Sequence, residues 1–564
     1  MTCIHSKQIA IIFALFSVLF FSGTVYCVDW ADVRYQPNHP AAGDGTTDDT
    51  QAFQEAIDSL GPAGGTVYVK GVYLINSNLN LSDNVFLVGD ELSPGRNTSR
   101  DYRPANFASY LIVGQNATIT LNSHSGVKNL IIVSGAIFDD LTTPPYGTYG
   151  TEIVPKYDGT LFTPNRSVAV ADPVIENLLV LGFKYLYDGT DGHGSDGSVI
   201  PRAAPLGRPI FRNIRGDCTN GIFVTSVGDV GRAENCHMWP FVTNGLGGNS
   251  GLRDGTAFYT GHGSTWMKWD DCFAFGYNIG HLVDGVQSVR QINCGADGPS
   301  SNGTQNIIGF KYQGQIINAK NLNPTVAAQG TSGILINTTP FNNIADVGII
   351  GGTFKGDSAN GHIDIQSGTY TFIGCTFWGN SAVGHIRLGS GAGPGVVTGC
   401  TFGNNGSSQP IFGDATAISK CNLTDSTYTG GSYTKQQMLT WTPAITFGGN
   451  STGITYAASY GTYTVKDNIV TVTFQITLAS KGTSTGNARI TGFPVPSNTG
   501  YFGGAISPFA TRLSGLSGTV LASINGNSSN IDLFQSAPTG LTPLTDSHFT
   551  DTTVLAGMLQ YLSQ

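Results

Sequence analysis

The sequence predicts an all-β protein dominated by a solenoid, on three observations. Strong helix formers are scarce: in 564 residues glutamate occurs only at Glu55, Glu91, Glu152, Glu176 and Glu234, while Asn, Thr, Ser and Gly recur throughout. Strand-like pieces such as VFLVG from Val85, NLIIVSG from Asn129, VIENLLVLGF from Val174 and YTFIGCTF from Tyr370 return with Gly, Asn or Asp between them, at a period of about 22 residues. Cysteines repeat in one context, after a turn residue and usually before a hydrophobe, at Cys218, Cys236, Cys272, Cys294, Cys375, Cys400 and Cys421. A stack of roughly 17 coils, within a range of about 15 to 18, over residues 60–430 follows, each coil covering its neighbour's apolar edge and the open end needing a cap.

Composition narrows the partners. A hydrophobic content of 40% with only 12% charged residues is too apolar for a disordered chain. The net charge is −9 and no Lys/Arg block occurs, so nucleic acid is not an expected partner. Lys7 followed by the apolar run Ile9–Phe21, with Val25 and Cys27 at −3 and −1 of a cut before Val28, reads as an export signal over residues 1–27. The run is short for a bilayer span, so no stable membrane insertion is expected once the signal is cut. The seven remaining cysteines cannot all pair; one buried free thiol per repeat is the preferred reading over disulfides or metal ligands.

The cap is the sharpest motif. Gly43–Thr50, GDGTTDDT, leads into QAFQEAIDSL and then GGTVYVKGVYLI. Asp48, Asp49 and Thr50 supply N-cap chemistry, and Ala52, Phe53, Ala56, Ile57 and Leu60 make one apolar helical face. This block resembles the start of the pectate-lyase-like superfamily, which implies a right-handed parallel β-helix with an N-terminal capping helix over residues 28–435. The same family implies that the block's aspartates are structural. Beyond a TGGSYTKQQM linker, residues 436–564 change texture. Ile469, Thr471, Thr473 and Gln475 alternate with Val470, Val472, Phe474 and Ile476, as in a small antiparallel β domain. With WTP and FGGNSTGITY, this part resembles the C-terminal domain of phage tailspikes and tail fibres, which implies trimerisation or sugar contact.

The candidate site lies in residues 232–299. Three of the six tryptophans, Trp239, Trp266 and Trp269, gather there with Tyr259, His237, His262, His281, Arg253 and acids. Sugar rings stack on aromatic faces while hydroxyls and carboxylates take Arg, Asn and Asp, so the mixture suits a saccharide groove; ladder core explains any single aromatic equally well. His237, Trp239, Arg253, Tyr259, His262 and Trp266 are the substrate-binding candidates. Glycoside hydrolysis needs two carboxylates, and Glu234, Asp254 and Asp271 in successive repeats are the catalytic candidates. On a strand Asp270 and Asp271 would face opposite ways, and an Asp beside Gly or before Cys commonly caps a turn. Asp270-Asp271-Cys272 and the Gly-His-Gly runs at 192–194 and 261–263 are similar to polygalacturonase motifs, but in reversed order. A lyase would use Arg253 or Arg290 as base, and Ca²⁺ is expected only in that case; otherwise no cofactor is expected.

These readings converge on an exported, trimeric, tailspike-like depolymerase that cleaves a surface polysaccharide by hydrolysis or β-elimination. Two alternatives stay open: a non-catalytic glycan-binding or structural appendage, and a secreted bacterial pectin-type lyase. The expected location is extracellular, or alternatively a virion tail. The short stretch between the signal and the cap, where a tailspike would carry a virion anchor, favours an exported or prophage-derived protein.

Overall fold

The structure is a computed structural model that describes residues 29–91, 101–142, 156–242, 253–298, 308–327, 331–339, 346–355, 359–378, 384–403, 410–428, 439–466, 469–498, 508–524, 526–537 and 540–563. The expected export signal lies outside the described residues. Two compact units divide at 251/252.

In the first unit the helix Thr50–Ser59 buries Ala52, Phe53, Ala56 and Ile57, the face its sequence marks out. Its capping differs in detail from the expectation. Asp48 Oδ1 accepts from the Thr50 amide at 3.0 Å. Asp49 holds the N-cap position with no side-chain bond to the helix; its carboxylate accepts from the amides of Ala42 (2.6 Å) and Gly43 (3.2 Å), fastening the entering chain. Phe53 packs edge-on against Tyr73, with centroids 5.2 Å apart. Parallel strands then stack coil upon coil. Gly65–Val69 pairs with Val85–Gly89 and Gly71–Ile75 with Ser109–Val113, and Gly126–Ser134, Val174–Leu181 and Ile210–Asp217 follow in register, with Leu178 between Leu130 and Ile214. Coil lengths are unequal because long excursions leave at some turns, so the period holds only where turns are tight.

The second unit repeats the plan in three parallel ladders. The first stacks Arg253–Thr260, Tyr277–Asp284, Ile308–Gln315 and Ser332–Thr339. The second stacks Met267–Asp270, Ser288–Ile292, Asn318–Leu322 and Asp346–Ile350. The third stacks Phe273–Phe275, Gly295–Asp297, Thr325–Ala327, Thr353–Lys355 and Thr376–Trp378. Inward residues form columns: Phe258, His281 and Phe310 align, and the imidazole stacks between the two rings at 4.8 and 4.5 Å. The unit ends in two five-stranded antiparallel sheets sharing one core, with Val470, Val472, Phe474 and Ile476 facing inward as their alternation requires.

One bend with a positive-φ residue recurs, inside the strands Gly126–Ser134, Val174–Leu181 and Ile210–Asp217 of the first unit and between the second and third strands of each coil in the second. In the first unit these are Asn129, Asn177, Asn213 and Asn235; in the second, Asp271, Asn293, Asn323, Gly351, Gly374, Gly399 and Asp425. Asn and Gly tolerate this conformation best, and stacking lets each amide bond the next. Asn177 donates to Asn129, Asn213 to Asn177 and Asn235 to Asn213, each at 2.9 Å, and Asn323 donates to Asn293 at 3.0 Å. The following residue turns inward, where a small thiol fits. Cys236, Cys272, Cys294, Cys375 and Cys400 each donate to the carbonyl two residues before them, over 3.4–3.7 Å. All seven cysteines among the described residues are free, as their repeated context predicts; six are buried, and Cys421 is partly exposed.

Two consequences are measurable. Asn213→Ala strains a left-handed residue and removes two amide bonds, so it should lower unfolding free energy by about 2 kcal/mol. Asn213→Gly keeps the backbone and should cost about half as much; equal costs in urea titrations would refute the turn-ladder account. Burial holds the His281 imidazole down to about 3, against about 6.5 unfolded. The stability of its neutral form is therefore fully present above pH 6.5 and lost as pH falls toward 3, on the order of 5 kcal/mol in all. His281→Phe, which extends the ring stack, should flatten that slope in unfolding titrations at pH 7 and pH 4.

Candidate functional site

Glu234 ends the strand Gly231–Glu234 in the first unit, and its carboxylate accepts from Arg212 Nε at 2.9 Å. It closes an outward column of alternating charge. Lys128 Nζ lies 3.3 Å from Glu176 and Arg212 Nη1 3.4 Å from Glu176, with Lys128, Glu176, Arg212 and Glu234 in register. Glu234 is thus a member of a cross-coil ion ladder. His237 and Trp239 belong to an aromatic group with Phe241, at ring separations of 5.2–6.3 Å. Trp239 packs against the core around Tyr102, Tyr110 and Leu179.

The remaining candidates lie in the second unit. Arg253 and Tyr259 are buried, so neither forms an open surface for sugar. Tyr259 bonds Asp284, and burial, reinforced by that neighbouring charge, pushes its hydroxyl well up. Asp254 is exposed at the start of the first-ladder strand. His262 is an exposed turn residue whose ring fills the space beside Gly285, where a Cβ would come within 2.6 Å of it. Trp266 is partly exposed, and the Lys268 ammonium stands 5.4 Å from its ring centroid. Asp271 takes the left-handed turn position, with φ 51° and an exposed side chain. The turn by itself accounts for a short polar residue there. Asp254 and Asp271 occupy different corners of one coil.

The third ladder presents a more coherent face. Ala274, Ala296, Val326, Phe354 and Phe377 point inward, so their neighbours point out. Phe275 aligns with Asp297, Asp297 with Ala327, and Lys355 with Trp378; the pairing of Val326 with Phe354 places Ala327 and Lys355 on successive steps. The column therefore reads aromatic, acid, small residue, cation, aromatic, and spans about 19 Å at the parallel inter-strand spacing. Trp378 is half exposed, and Lys355 Nζ lies 5.9 Å from its ring centroid. Burial pushes the Asp297 carboxyl up, only partly offset by the Gly298 amide at 2.8 Å and the Lys355 charge. In the neighbouring outward column the Phe273 ring lies over Gly295, where a Cβ would meet it at 2.7 Å. A half-buried acid between aromatic platforms can hold a proton over a bound sugar ring.

A second polar group lies in the first unit. Asp188 is buried beside Arg166 (3.0 Å), His193 (3.3 Å) and Thr190 (2.6 Å), and His193 stacks on Tyr185 at 4.7 Å. Burial pushes the carboxyl up, but the contacts with His193 and Thr190 and the Arg166 charge outweigh it and hold it below the ordinary range. The Gly-His-Gly run at 192–194 thus anchors a hairpin onto the coil. Among the described residues no group of three His, Cys, Asp or Glu side chains is placed to hold a metal ion.

Residues 39–149 match the family model for rhamnogalacturonase A/epimerase, pectate lyase-like. A search of curated proteins gives no match. Among solved structures, the Dettilon tailspike protein is similar over 95% of this chain and 94% of that chain, at 14% identity and TM-score 0.54. The fold is a tailspike-like parallel β-helix. The A-module of the Azotobacter vinelandii mannuronan C-5 epimerase covers 71% of this chain and 98% of its own, at 16% identity and TM-score 0.40. A mutant tailspike of E. coli bacteriophage HK620, solved in complex with a pentasaccharide, covers 94% of both chains at 12% identity and TM-score 0.40. Within this β-helix the sequence does hold a signal for the third-ladder column. Phe275, Asp297, Ala327, Lys355 and Trp378 each stand four residues after the left-handed residue of their coil, and aligning the coils on that residue brings them together.

Substitutions separate ladder from chemistry. Glu234→Gln should cost under about 1 kcal/mol, as exposed ion pairs do, and Asp271→Asn should be neutral because Asn suits the turn. Both should leave oligosaccharide binding and release within twofold of the parent. A tenfold loss in either variant, measured by calorimetry and reducing-end assay, would return that residue to the catalytic set.

Proposed function

We propose that this chain is an extracellular, tailspike-like protein that binds a surface polysaccharide along the third-ladder face of its second unit and cleaves it with Asp297 as proton donor. The observation that carries the reading is one column in which a half-buried carboxyl, its affinity for a proton raised by burial, stands between Phe275 and the half-exposed Trp378. Trp378 and Phe275 supply ring platforms, Ala327 leaves room for a sugar between them, and Lys355 favours negative charge on the glycan. The fold shared with the Dettilon tailspike protein and the pectate-lyase-like match over residues 39–149 agree with this reading. The export signal expected within residues 1–27 would place it outside the cell.

A binding-only role is the second reading, favoured by one observation: among the described residues of the column Asp297 is the single carboxylate, whereas hydrolysis uses two. The assembly proposed is a homotrimer, which light scattering on the full chain would confirm or refute.

A panel of capsular, O-antigen and pectic polysaccharides identifies the glycan, read by reducing ends for hydrolysis and by ultraviolet-absorbing unsaturated uronates for elimination. Trp378→Ala should weaken binding about tenfold, the usual worth of a sugar-stacking ring. Asp297→Asn should cut turnover by roughly 10² to 10⁴ with binding within twofold. Because the Asp297 carboxyl keeps its proton above the ordinary aspartate range, turnover should fall as pH rises through its raised pKa, and Asp297→Asn should abolish that limb. Binding without products supports the second reading; full activity in both variants refutes the site.

A further inference from the structure

Beside the column that carries Asp297 runs a second outward column of the third ladder, and over five consecutive coils it is threonine at every step. Thr325 aligns with Thr353, Thr353 with Thr376, Thr376 with Thr401 and Thr401 with Thr427. Thr325, Thr376 and Thr427 are exposed, and Thr353 and Thr401 are partly exposed. Strand propensity accounts for β-branched residues in such a column but not for the hydroxyl, since valine and isoleucine serve a strand as well. One ladder away, on two of the same coils, Ile350 and Ile373 stand in register at 39% exposure. The hydroxyl is therefore what sets the threonine row apart.

The row is held straight by its inward neighbours. Phe354, Phe377 and Phe402, which follow Thr353, Thr376 and Thr401 in the chain, are fully buried. Their rings stack at 4.9 and 5.0 Å with interplanar angles of 15° and 9°. At the strand spacing of about 4.8 Å the five hydroxyls cover about 19 Å in equal steps. Each can donate one hydrogen bond and accept two, and Thr427 Oγ1 donates to Thr401 Oγ1 at 3.3 Å. Ala327, Lys355 and Trp378 lie two residues after Thr325, Thr353 and Thr376, on the same face. Asp297 aligns with Ala327, so the row begins one coil beyond the acid and leads away from it.

A polymer whose repeat matches the coil spacing can use every step. Pyranose rings joined through equatorial bonds form a flat, extended ribbon that advances by about one strand spacing per sugar. Every ring of that ribbon presents a polar group at each edge and an apolar CH face to an aromatic platform. A wound chain turns the same groups away from a straight row. We infer that the threonine row is a hydroxyl rail that holds a linear, β-1,4-linked polysaccharide parallel to the stack of coils, one sugar to a coil. The inference rests on the reading of the third-ladder face as glycan-binding, and adds the linkage class, the direction of the bound chain and the length of the stretch it occupies.

The test is calorimetric titration of the full-length chain with cello-oligosaccharides and mannuronate oligomers of two to eight sugars, and with malto-oligosaccharides as the wound, α-linked control. Affinity for at least one β-1,4-linked series should climb with each sugar up to about five or six and then level off, as one sugar per strand spacing requires. The malto series should bind at least tenfold more weakly at equal length. Thr353→Val/Thr376→Val/Thr401→Val keeps shape and branching but removes three hydroxyls, and should weaken binding of the hexamer about tenfold or more; serine at the same three positions should restore most of it. Should the triple valine variant not fold, Thr376→Val alone, at an exposed position, should still give about a threefold loss. Trp378→Ala separates this inference from the reading beneath it. Binding that falls with Trp378→Ala and not with the valine variants refutes the rail and leaves the glycan face standing, whereas glycan binding that neither change affects refutes the face and the rail together. The rail is also refuted if no β-1,4-linked oligomer binds, if malto-oligosaccharides bind as tightly, if affinity stops rising at two or three sugars, or if the valine variants change oligomeric state in place of affinity.

Discussion

Parallel backbone pairing between coils is the constraint on which everything else in this molecule depends. Each strand bonds the strand one coil away at about 4.8 Å, so every side chain has a counterpart directly above and below it, and residues act as columns. An inward column must tile: Phe354 and Phe377 stack at 4.9 Å, and His281 enters a ring stack as a neutral imidazole. A column in the left-handed turn must tolerate positive φ, and where its residues are asparagines their amides bond one another. An outward column must neutralise itself or find a partner.

Buried polar groups obey the same rule. Asp364 is fully buried, and the next coil supplies Arg387, whose Nε and Nη2 both reach it at 2.8 Å. His362 and His385 meet through their Nδ1 atoms at 3.0 Å while His385 Nε2 lies 3.0 Å from the Gly403 carbonyl. The carbonyl can only accept, so His385 carries its proton on Nε2 and takes one from His362 Nδ1, and burial keeps His385 neutral. Such self-satisfied columns explain structure. The column that stands out is the one on the third ladder, where an acid stands between aromatics.

That distinction explains why the first set of candidate residues scattered. Selecting aromatics and acids by their density along the chain collects residues from every corner of a coil. Tyr259 and Arg253 are buried, Asp271 bends the backbone, and Trp239 pads a core, although all stand within a few dozen residues of one another. Asp297 and Lys355 are far apart in sequence yet belong to one face. Asp297 lies inside the aromatic-rich stretch, but an Asp before Gly reads as a turn residue until its column is known.

The fold class, the capping helix, the free thiols and the C-terminal antiparallel sheets were legible in the sequence alone, because each depends on local chemistry: an apolar helical face at 52, 53, 56 and 57, an Asn, Asp or Gly before six of the seven described cysteines, and strict alternation from Ile469 to Ile476. The tertiary structure decided which outward residues share a column. Excursions of unequal length interrupt the coils, so chain separation does not measure coil separation, and only the hydrogen-bonded register shows that Glu234 answers Arg212 and that Asp297 stands over Phe275.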